Sequence, residues 1–391
     1  MRIVRPPGWV FLSLLLVSGV THAAGCDAPV GKDFPQVPVT ESKLSATALL
    51  RLNQEIDTEG FDVRGLLILQ ACRLVFERYK KEVERDDNHA LYSIPKSITA
   101  TLAGRLLLEG RITSLSTPLA VIIRRPIFVA DIDWDKLQAI QLEHAMRMRS
   151  GFQWEDKGDS PGVNPSLDTL REGIKLPLAE KPGAKFKYGE LDPALVGIAI
   201  SDSTGQSLPD AAQTLLFGPL QIPKPPWDYK DRAGRYFGNF GLRLRPMDML
   251  KIGQLYLQQG RWNGAQLLSQ EFVNAVMPMD GPHDAGYGLF WFTGKNPDLG
   301  NVRFFYAAGR KAQRIYVFPQ WDMVVAVVAA LMPEDEQKML QPLLRGLKAA
   351  MEGGPVDQEA VQKLNQVSAA GFNGSRGFAG PNDMPRKAQS R

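Results

Sequence analysis

Ser93 and Lys96 are three residues apart at the start of an apolar run, in the stretch HALYSIPKSITATL (residues 89–102). A serine becomes a nucleophile when a base lies within hydrogen-bond reach and N–H groups can stabilise the oxyanion. Residues three apart on a helix share a face, so the Ser93 hydroxyl and the Lys96 amine can meet on the first turn. Pro95 fits that turn, where its missing N–H removes no hydrogen bond. The stretch therefore predicts a nucleophile with its base or, alternatively, an ordinary helix cap followed by a solvated lysine.

A second serine, Ser160, lies in Gly158-Asp-Ser-Pro-Gly162, which matches the G-x-S-x-G pattern of nucleophile elbows. The elbow uses the backbone N–H of the residue after the serine, and Pro161 has none. The residues before Ser160 also lack the pattern of a strand. We therefore expect that Ser160 is not the nucleophile.

The histidines offer a third kind of site. Outside the first 25 residues they are His89, His144 and His283, and none has a metal-ligand partner at helical or hairpin spacing. We therefore expect no metal and no cofactor. A Ser-His-Asp triad that uses His89 stays open as an alternative.

Strands at both ends of the chain must position these residues. Apolar residues at 66–69 and 74–79, joined by residues 70–73, predict a β-hairpin. Further strands are predicted at 287–292, 302–306, 315–318 and 323–331, and a helix at 335–351. Helices are predicted between the two groups of strands, including one that follows Ser93 and ends near Gly110. The N-terminal hairpin should therefore join the C-terminal strands in one sheet.

Five blocks, in order and spacing, resemble the serine β-lactamase-like family, which includes class C β-lactamases, D-Ala-D-Ala carboxypeptidases, esterases and 6-aminohexanoate-dimer hydrolases. The blocks are LYSIPKSITATLAGRLLLEGRITSLSTPL, QLEHAMRMRSGFQWED, KPGAKFKYGELDPALVGIAI, GLRLRPMDMLKIGQLYLQQGRWNGAQLLS and FYAAGRKAQRIYVFPQWDMVVAVV. The resemblance covers about residues 61–351. It implies an α/β (α+β) fold, in which an antiparallel sheet is flanked by helices on both faces and carries an inserted, mostly helical region.

The resemblance also implies roles for individual residues. Ser93 matches the serine that is acylated, and Lys96 matches its lysine partner. Tyr188, in KFKYGEL, matches the tyrosine of the Y-x-N motif that shares the role of general base. Lys96 and Tyr188 would then exchange protons as a coupled pair.

Two positions depart from the family pattern. Glu190 replaces the Y-x-N asparagine that would bind a substrate carbonyl, and Ala307-Ala308-Gly309 replaces K-T-G. Gly309 still permits a close backbone approach, and the N–H of Arg310 would be the second oxyanion donor beside that of Ser93. The missing cation at Ala307 argues against efficient β-lactamase action and favours a less anionic ester or amide, although Arg310 or Lys311 could supply a cation.

The domain boundaries follow from composition. Arg2, Arg5 and an apolar stretch at residues 9–20 predict a signal peptide over residues 1–25. A linker (26–41) then leads to the hydrolase domain (42–351), whose α/β part comprises about 42–92 and 246–351 and whose helical insertion comprises about 93–245. The tail, residues 352–391, has few apolar residues and is predicted to be disordered.

The net charge and the two cysteines limit the classes of binding partner and the cellular compartment that are expected. The 391-residue chain has a formal net charge of +4 and no basic block, which argues against a nucleic-acid partner. After export, Cys26 and Cys72 could form a disulfide, or Cys26 could carry a lipid anchor. No later segment is predicted to span a membrane.

Together, these features predict a periplasmic or secreted serine hydrolase that cleaves a small-molecule or peptide-like ester or amide through an acyl-enzyme on Ser93. A D-Ala-D-Ala carboxypeptidase, a weak β-lactamase and a non-catalytic binding member of the fold are the alternatives.

Overall fold

The computed structural model describes residues 30–125, 133–276, 286–294 and 296–377, together with residues 26, 380, 383 and 386. The proposed signal peptide and His283 lie outside the described residues. In the part of the chain that is described, no helix combines the length and the apolar character needed to cross a membrane.

The fold comprises eleven strands and twelve α-helices within the described ranges. The strands are β1 (Val63–Gln70), β2 (Arg73–Tyr79), β3 (His89–Ala90), β4 (Arg243–Leu244), β5 (Arg261–Trp262), β6 (Ala265–Gln266), β7 (Tyr287–Gly288), β8 (Trp291–Gly294), β9 (Phe304–Gly309), β10 (Gln313–Phe318) and β11 (Met323–Ala329). The helices are α1 (Ala46–Glu59), α2 (Ile94–Leu108), α3 (Leu119–Ile122), α4 (Trp134–Ala139), α5 (Leu142–Met146), α6 (Thr169–Lys175), α7 (Leu191–Thr204), α8 (Leu208–Ala212), α9 (Pro246–Leu257), α10 (Gln270–Val276), α11 (Pro333–Glu352) and α12 (Gln358–Ala370).

A seven-stranded antiparallel sheet in the order β2-β1-β11-β10-β9-β8-β7 forms the centre of the fold. Strand β1 pairs with β11, so the N-terminal hairpin joins the C-terminal strands as the sequence predicts. Successive side chains of β1 point to opposite faces, which places Leu67 and Leu69 in a core with α2 and α9. Leu66 and Ile68 lie in a second core with α1 and α11. The sheet is therefore covered by helices on both faces, and the predicted fold class is confirmed.

The helical region between the two parts of the sheet begins and ends at one small ladder. Strand β3 pairs with β4, where His89 lies opposite Leu244. Helices α2 to α8 lie between these two strands and share one core with the inner face of the sheet. The chain thus leaves and re-enters the α/β part at neighbouring points, and Ser93 follows directly after β3.

One predicted strand is wrong. Residues 287–292 form a tight hairpin, β7 and β8, with a turn at Leu289 and Phe290, whose φ angles are +47° and +63°. The Phe290 N–H donates to the Met146 carbonyl, and the Phe290 carbonyl accepts from Ser97 on α2. This turn is buried and apolar, so it lacks the Gly, Asn and Pro residues by which turns are usually recognised.

The prediction of a disordered tail is also wrong for residues 358–370. Helix α12 begins at Asp357, whose carboxylate accepts from the N–H groups of Glu359 and Ala360. The helix buries Ala360 and Leu364 against α1 and β2, and the chain after it buries Phe372. The few apolar residues are spaced along one face, a pattern that average composition conceals.

The segment predicted as a linker packs against the domain. Val30 and Phe34 are buried in the core, and Cys26 forms a disulfide with Cys72 across a Cα–Cα distance of 5.5 Å. Cys72 lies in the turn between β1 and β2 at φ +60°. The disulfide therefore ties the start of the described chain to the edge hairpin of the sheet.

Candidate active site

Ser93 and Lys96 meet at the start of α2. The Lys96 ammonium donates to the Ser93 Oγ over 2.8 Å. Lys96 is 2% exposed, whereas Ser93 is half-buried. The Ser93 hydroxyl accepts from the lysine rather than from the N–H groups of the first turn, so Ser93 is not an ordinary helix cap and Lys96 is not a solvated lysine.

The backbone around Ser93 packs closely against the end of β9. Tyr92 has a φ of +52°, which turns the chain sharply before Ser93. A Cβ on Gly309 would lie 2.2 Å from the carbonyl oxygen of Leu91, so only glycine fits there. The side-chain nitrogen of Lys311 lies 5.8 Å from the centre of the Tyr92 ring. The residues that follow Gly309 are therefore neighbours of the turn that carries the serine.

Glu190 lies against Lys96 and forms an ion pair with it. The Lys96 Nζ to Glu190 Oε2 distance is 2.7 Å, and the Glu190 side chain is 17% exposed. The same carboxylate oxygen accepts from Asn239 Nδ2 over 2.8 Å. The sequence places Glu190 at a substrate-binding position, whereas the structure directs its carboxylate to the lysine. Ser93, Lys96, Glu190 and Asn239 thus form one continuous chain of polar contacts.

Asn239 is a site residue that sequence reasoning missed. It is fully buried, and its Nδ2 also donates to the Gly162 carbonyl over 2.9 Å. In the sequence it stands in Gly-Asn-Phe-Gly, residues 238–241, which is a common turn composition. Only its contact with the Glu190 carboxylate, which is distant in sequence, distinguishes Asn239 from an ordinary turn residue.

The Tyr188 ring lies beside Lys96, whereas its role as a shared general base stays a prediction. The Lys96 Nζ is 5.1 Å from the centre of the Tyr188 ring, which is 37% exposed and stacks on Phe292 at 6.2 Å. Tyr287 packs edge-on against Tyr188, and burial raises its pKa well above the usual range, helped by Tyr188, Glu190 and Asp192 nearby. Glu190 and the Tyr188 ring therefore flank the ammonium of Lys96, and Tyr287 packs against Tyr188.

The GDSPG segment contacts Asn239 and Glu190 through the backbone of Gly162. The Ser160 hydroxyl donates to the Glu155 carbonyl over 2.6 Å within its own loop. The Gly162 carbonyl accepts the hydrogen bond from Asn239 Nδ2. Gly162 has a φ of +90°, and a Cβ at this position would lie 2.9 Å from the carbonyl oxygen of Glu190. This loop is therefore a backbone support for Glu190 and Asn239.

His89 does not form a triad with Ser93. It lies on β3 and is 2% exposed, and burial together with the positive charges of Arg64 and Arg243 lowers its pKa to about 3. Its Nε2 has no hydrogen-bond partner among the described residues. His144 serves the start of α5, where its Nδ1 accepts from the Gln141 N–H. Within the described ranges no group of His, Cys, Asp or Glu has the arrangement of a metal site.

The basic residues after β9 are engaged with carboxylates. Ala307 is fully buried in β9, so its side chain cannot meet a substrate charge. The Arg310 guanidinium is 78% exposed and lies 3.8 Å from Asp156, while the Lys311 ammonium contacts Asp383 at 2.5 Å. Arg310 can therefore face solvent near the site, whereas Lys311 is directed to the C-terminal segment.

A cavity of about 190 Å³ lies beside the segment that carries Tyr188 and Glu190. Its lining includes Phe152, Trp154, Phe186 and Asp192. The Asp192 carboxylate accepts from the Ser150 N–H at 3.4 Å, and burial raises its pKa to about 7. Asp192 is thus a neighbour of the site that stays largely protonated in acid and ionises near neutrality.

Residues 65–349 match the family described as Beta-lactamase. The chain belongs to the beta-lactamase family. A relative from Paenarthrobacter ureafaciens, a 6-aminohexanoate-dimer hydrolase, is 22% identical over 324 residues, which cover 76% of this chain and 79% of the relative.

Two solved structures show the same fold. EstCE1, described as a hydrolase with promiscuous acyltransferase activity, is 13% identical with a TM-score of 0.59 and covers 79% of this chain and 99% of its own. A class C beta lactamase from Rhodobacter sphaeroides is 17% identical with a TM-score of 0.56 and covers 76% of this chain and 98% of its own. Membership of the beta-lactamase family makes this chain a serine hydrolase of the esterase, amidase and β-lactamase type.

Proposed function

We propose that the protein is an exported serine hydrolase that cleaves an ester or amide through an acyl-enzyme on Ser93. The observation that carries the proposal is the 2.8 Å bond between the buried Lys96 ammonium and Ser93 Oγ at the start of α2. This distance lies within the reach that proton transfer between a nucleophile and its partner requires.

In the acylation step, Ser93 Oγ attacks the substrate carbonyl carbon while its proton leaves through Lys96, against which Tyr188 packs. The N–H groups of Ser93 and Arg310 stabilise the oxyanion, a role that the tight approach of Gly309 to Leu91 supports. The leaving alcohol or amine takes a proton as the C–O or C–N bond breaks. Water then hydrolyses the ester on Ser93 and restores the hydroxyl.

The substrate is proposed to be a small ester or amide without a carboxylate at the Ala307 position. Ala307 is buried and uncharged, and Glu190 adds a negative charge beside the lysine. Like charges repel each other in a partly buried site, so a substrate carboxylate beside Glu190 would bind poorly. The relative named for the 6-aminohexanoate dimer makes a small linear amide a second candidate, and the terminal carboxylate of that dimer would then have to lie away from Ala307 and Glu190.

A panel of p-nitrophenyl acetate, the 6-aminohexanoate dimer and nitrocefin tests the substrate class. We expect turnover of the ester, or of the linear amide, to exceed that of the β-lactam. Ser93→Ala should abolish turnover, whereas the matched variant Ser160→Ala should retain it within about twofold. Equal activity of the wild type and Ser93→Ala would refute the assignment, and wild-type protein that turns over none of the three would favour the non-catalytic alternative.

Export is proposed from the sequence of residues 1–25 and from the Cys26–Cys72 disulfide. Disulfides persist in oxidising compartments such as the periplasm. The disulfide and a lipid on Cys26 would use the same sulfur atom, so the two exclude each other. Cell fractionation with intact-mass measurement should find the processed, unlipidated, oxidised chain outside the cytoplasm; an unprocessed cytoplasmic chain would contradict export.

A further inference from the structure

Glu190 is a carboxylate at a motif position for which the family resemblance predicts an amide, and this change alters the site's proton chemistry. The Lys96 ammonium bridges Ser93 Oγ at 2.8 Å and Glu190 Oε2 at 2.7 Å. Both distances lie in the range in which protons transfer between heavy atoms. A lysine that is held by a carboxylate rests as an ammonium, and an ammonium has no lone pair with which to accept the serine proton.

We propose that Glu190 is the final acceptor of the Ser93 proton, with Lys96 as the relay between them. This inference rests on the proposed function, because it assigns the proton of the same acylation step. It makes Ser93, Lys96 and Glu190 a proton-transfer triad and gives Tyr188 a supporting role at the lysine.

The transfer balances without any added reactant. One Lys96 N–H proton moves to Glu190 Oε2 as the Ser93 hydroxyl proton moves to Lys96 Nζ. Ser93 Oγ then forms its bond to the substrate carbonyl carbon, and the carbonyl π electrons move to the oxyanion. Lys96 begins and ends as an ammonium, and Glu190 ends as a neutral acid. When the tetrahedral intermediate collapses, the proton returns through Lys96 to the leaving alcohol or amine.

Asn239 is the positioning residue for Glu190. Its Nδ2 donates both to Glu190 Oε2 and to the Gly162 carbonyl, and the side chain is fully buried. This fixes the carboxylate oxygen that contacts Lys96. Because Asn239 touches neither the serine nor the reacting carbonyl, its effect on the reaction passes through Glu190.

The charged and titratable groups around Glu190 decide how the pH dependence is interpreted. Lys96 faces it from α2, Tyr188 and Asp192 flank it in sequence, and Tyr287 faces it from β7. The raised pKa of Tyr287 keeps that residue neutral in the working range. Burial raises the pKa of Asp192 to about 7, so this residue ionises within an assay from pH 4 to 9 and must be tested separately.

The test compares Glu190→Gln with Glu190→Asp and Asp192→Asn, using hydrolysis of p-nitrophenyl acetate from pH 4 to 9. We expect Glu190→Gln to lower kcat by about 100-fold or more with KM nearly unchanged, since general acid–base groups typically contribute factors of this size. The low-pH limb of kcat/KM should disappear in Glu190→Gln and persist in Glu190→Asp, which should recover part of kcat. In Asp192→Asn the limb should persist.

Three further results distinguish a failure of the proton relay from a failure of the serine assignment. Asn239→Ala should lower kcat by about tenfold and move the low-pH limb, which loss of packing alone would not do. Glu190→Asn, which restores the family residue, provides a second variant without the carboxylate if Glu190→Gln fails to fold. If either carboxylate-free variant keeps kcat within threefold and retains the limb while Ser93→Ala is inactive, the relay is refuted and the serine assignment survives. If Ser93→Ala is fully active, the proton relay and the serine assignment are both refuted.

Discussion

Removing the lysine from the Ser93–Lys96–Glu190 chain should destabilise the protein as well as inactivate it. Lys96→Met keeps most of the side-chain volume but leaves the Glu190 carboxylate without its cation. The side chains of Lys96 and Glu190 are 2% and 17% exposed. Breaking a buried pair by removing one partner costs about 3–5 kcal/mol. Glu190 retains some solvent contact and its bond to Asn239, so we expect about 3 kcal/mol, near the lower end of that range.

The double variant Lys96→Met/Glu190→Gln isolates the interaction. With both charges removed, no uncompensated carboxylate remains, and we expect recovery of about 2 kcal/mol relative to Lys96→Met alone. Urea unfolding followed by tryptophan fluorescence gives the free energies of the four proteins in the cycle. If Lys96→Met costs less than about 1 kcal/mol and the coupling energy is below about 0.5 kcal/mol, the two side chains do not form the buried pair on which the reasoning depends.

Three other predictions concern Asp192, the Cys26–Cys72 disulfide and Gly309. Burial raises the pKa of Asp192 from 3.8 to about 7, so the stability that its protonated form contributes is fully present below about pH 4 and is lost as pH rises to 7. Asp192→Asn should therefore flatten the fall of the unfolding free energy between pH 4 and 7 and raise that free energy at pH 8 by up to about 4 kcal/mol. Urea unfolding across this pH range measures both effects. The Cys26–Cys72 disulfide closes a separation of 46 residues, so Cys26→Ser should cost about 4 kcal/mol in the loop-entropy model, measured against wild type with and without reductant. In Gly309→Ala the new Cβ would meet the Leu91 carbonyl oxygen at 2.2 Å. We expect kcat to fall at least tenfold, which corresponds to about 1.4 kcal/mol in activation free energy, while the circular dichroism spectrum stays unchanged. An unchanged kcat would contradict a role for this contact.

The sequence was sufficient to predict the sheet and the serine–lysine pair because both follow from local or strongly patterned features. The β1–β2 hairpin and the strands β9 to β11 are long apolar runs with clear turns, and Ser93 and Lys96 share one helical turn. The hairpin at Leu289 and Phe290 escaped prediction because its turn is buried and built from residues that rarely adopt positive φ. Helix α12 escaped because its stabilisation comes from docking on α1 and β2 rather than from its own composition.

The role of Glu190 could not be derived from its motif position. The motif predicts that the side chain faces a substrate, whereas its actual partners are Lys96 on α2 and Asn239 in the loop before β4. Both are distant in sequence and are brought together only by the packing of the helical region. Contacts of this kind depend on tertiary structure, which neither spacing nor periodicity encodes.

Trapping the acyl-enzyme tests the central assignment most directly. The protein is mixed with p-nitrophenyl acetate or a fluorophosphonate, quenched in acid during the burst, and analysed by intact mass and peptide mapping. We predict one adduct per chain, located on Ser93, absent from Ser93→Ala and present on Ser160→Ala. An adduct located on any other residue, or formed equally on Ser93→Ala, would contradict the account.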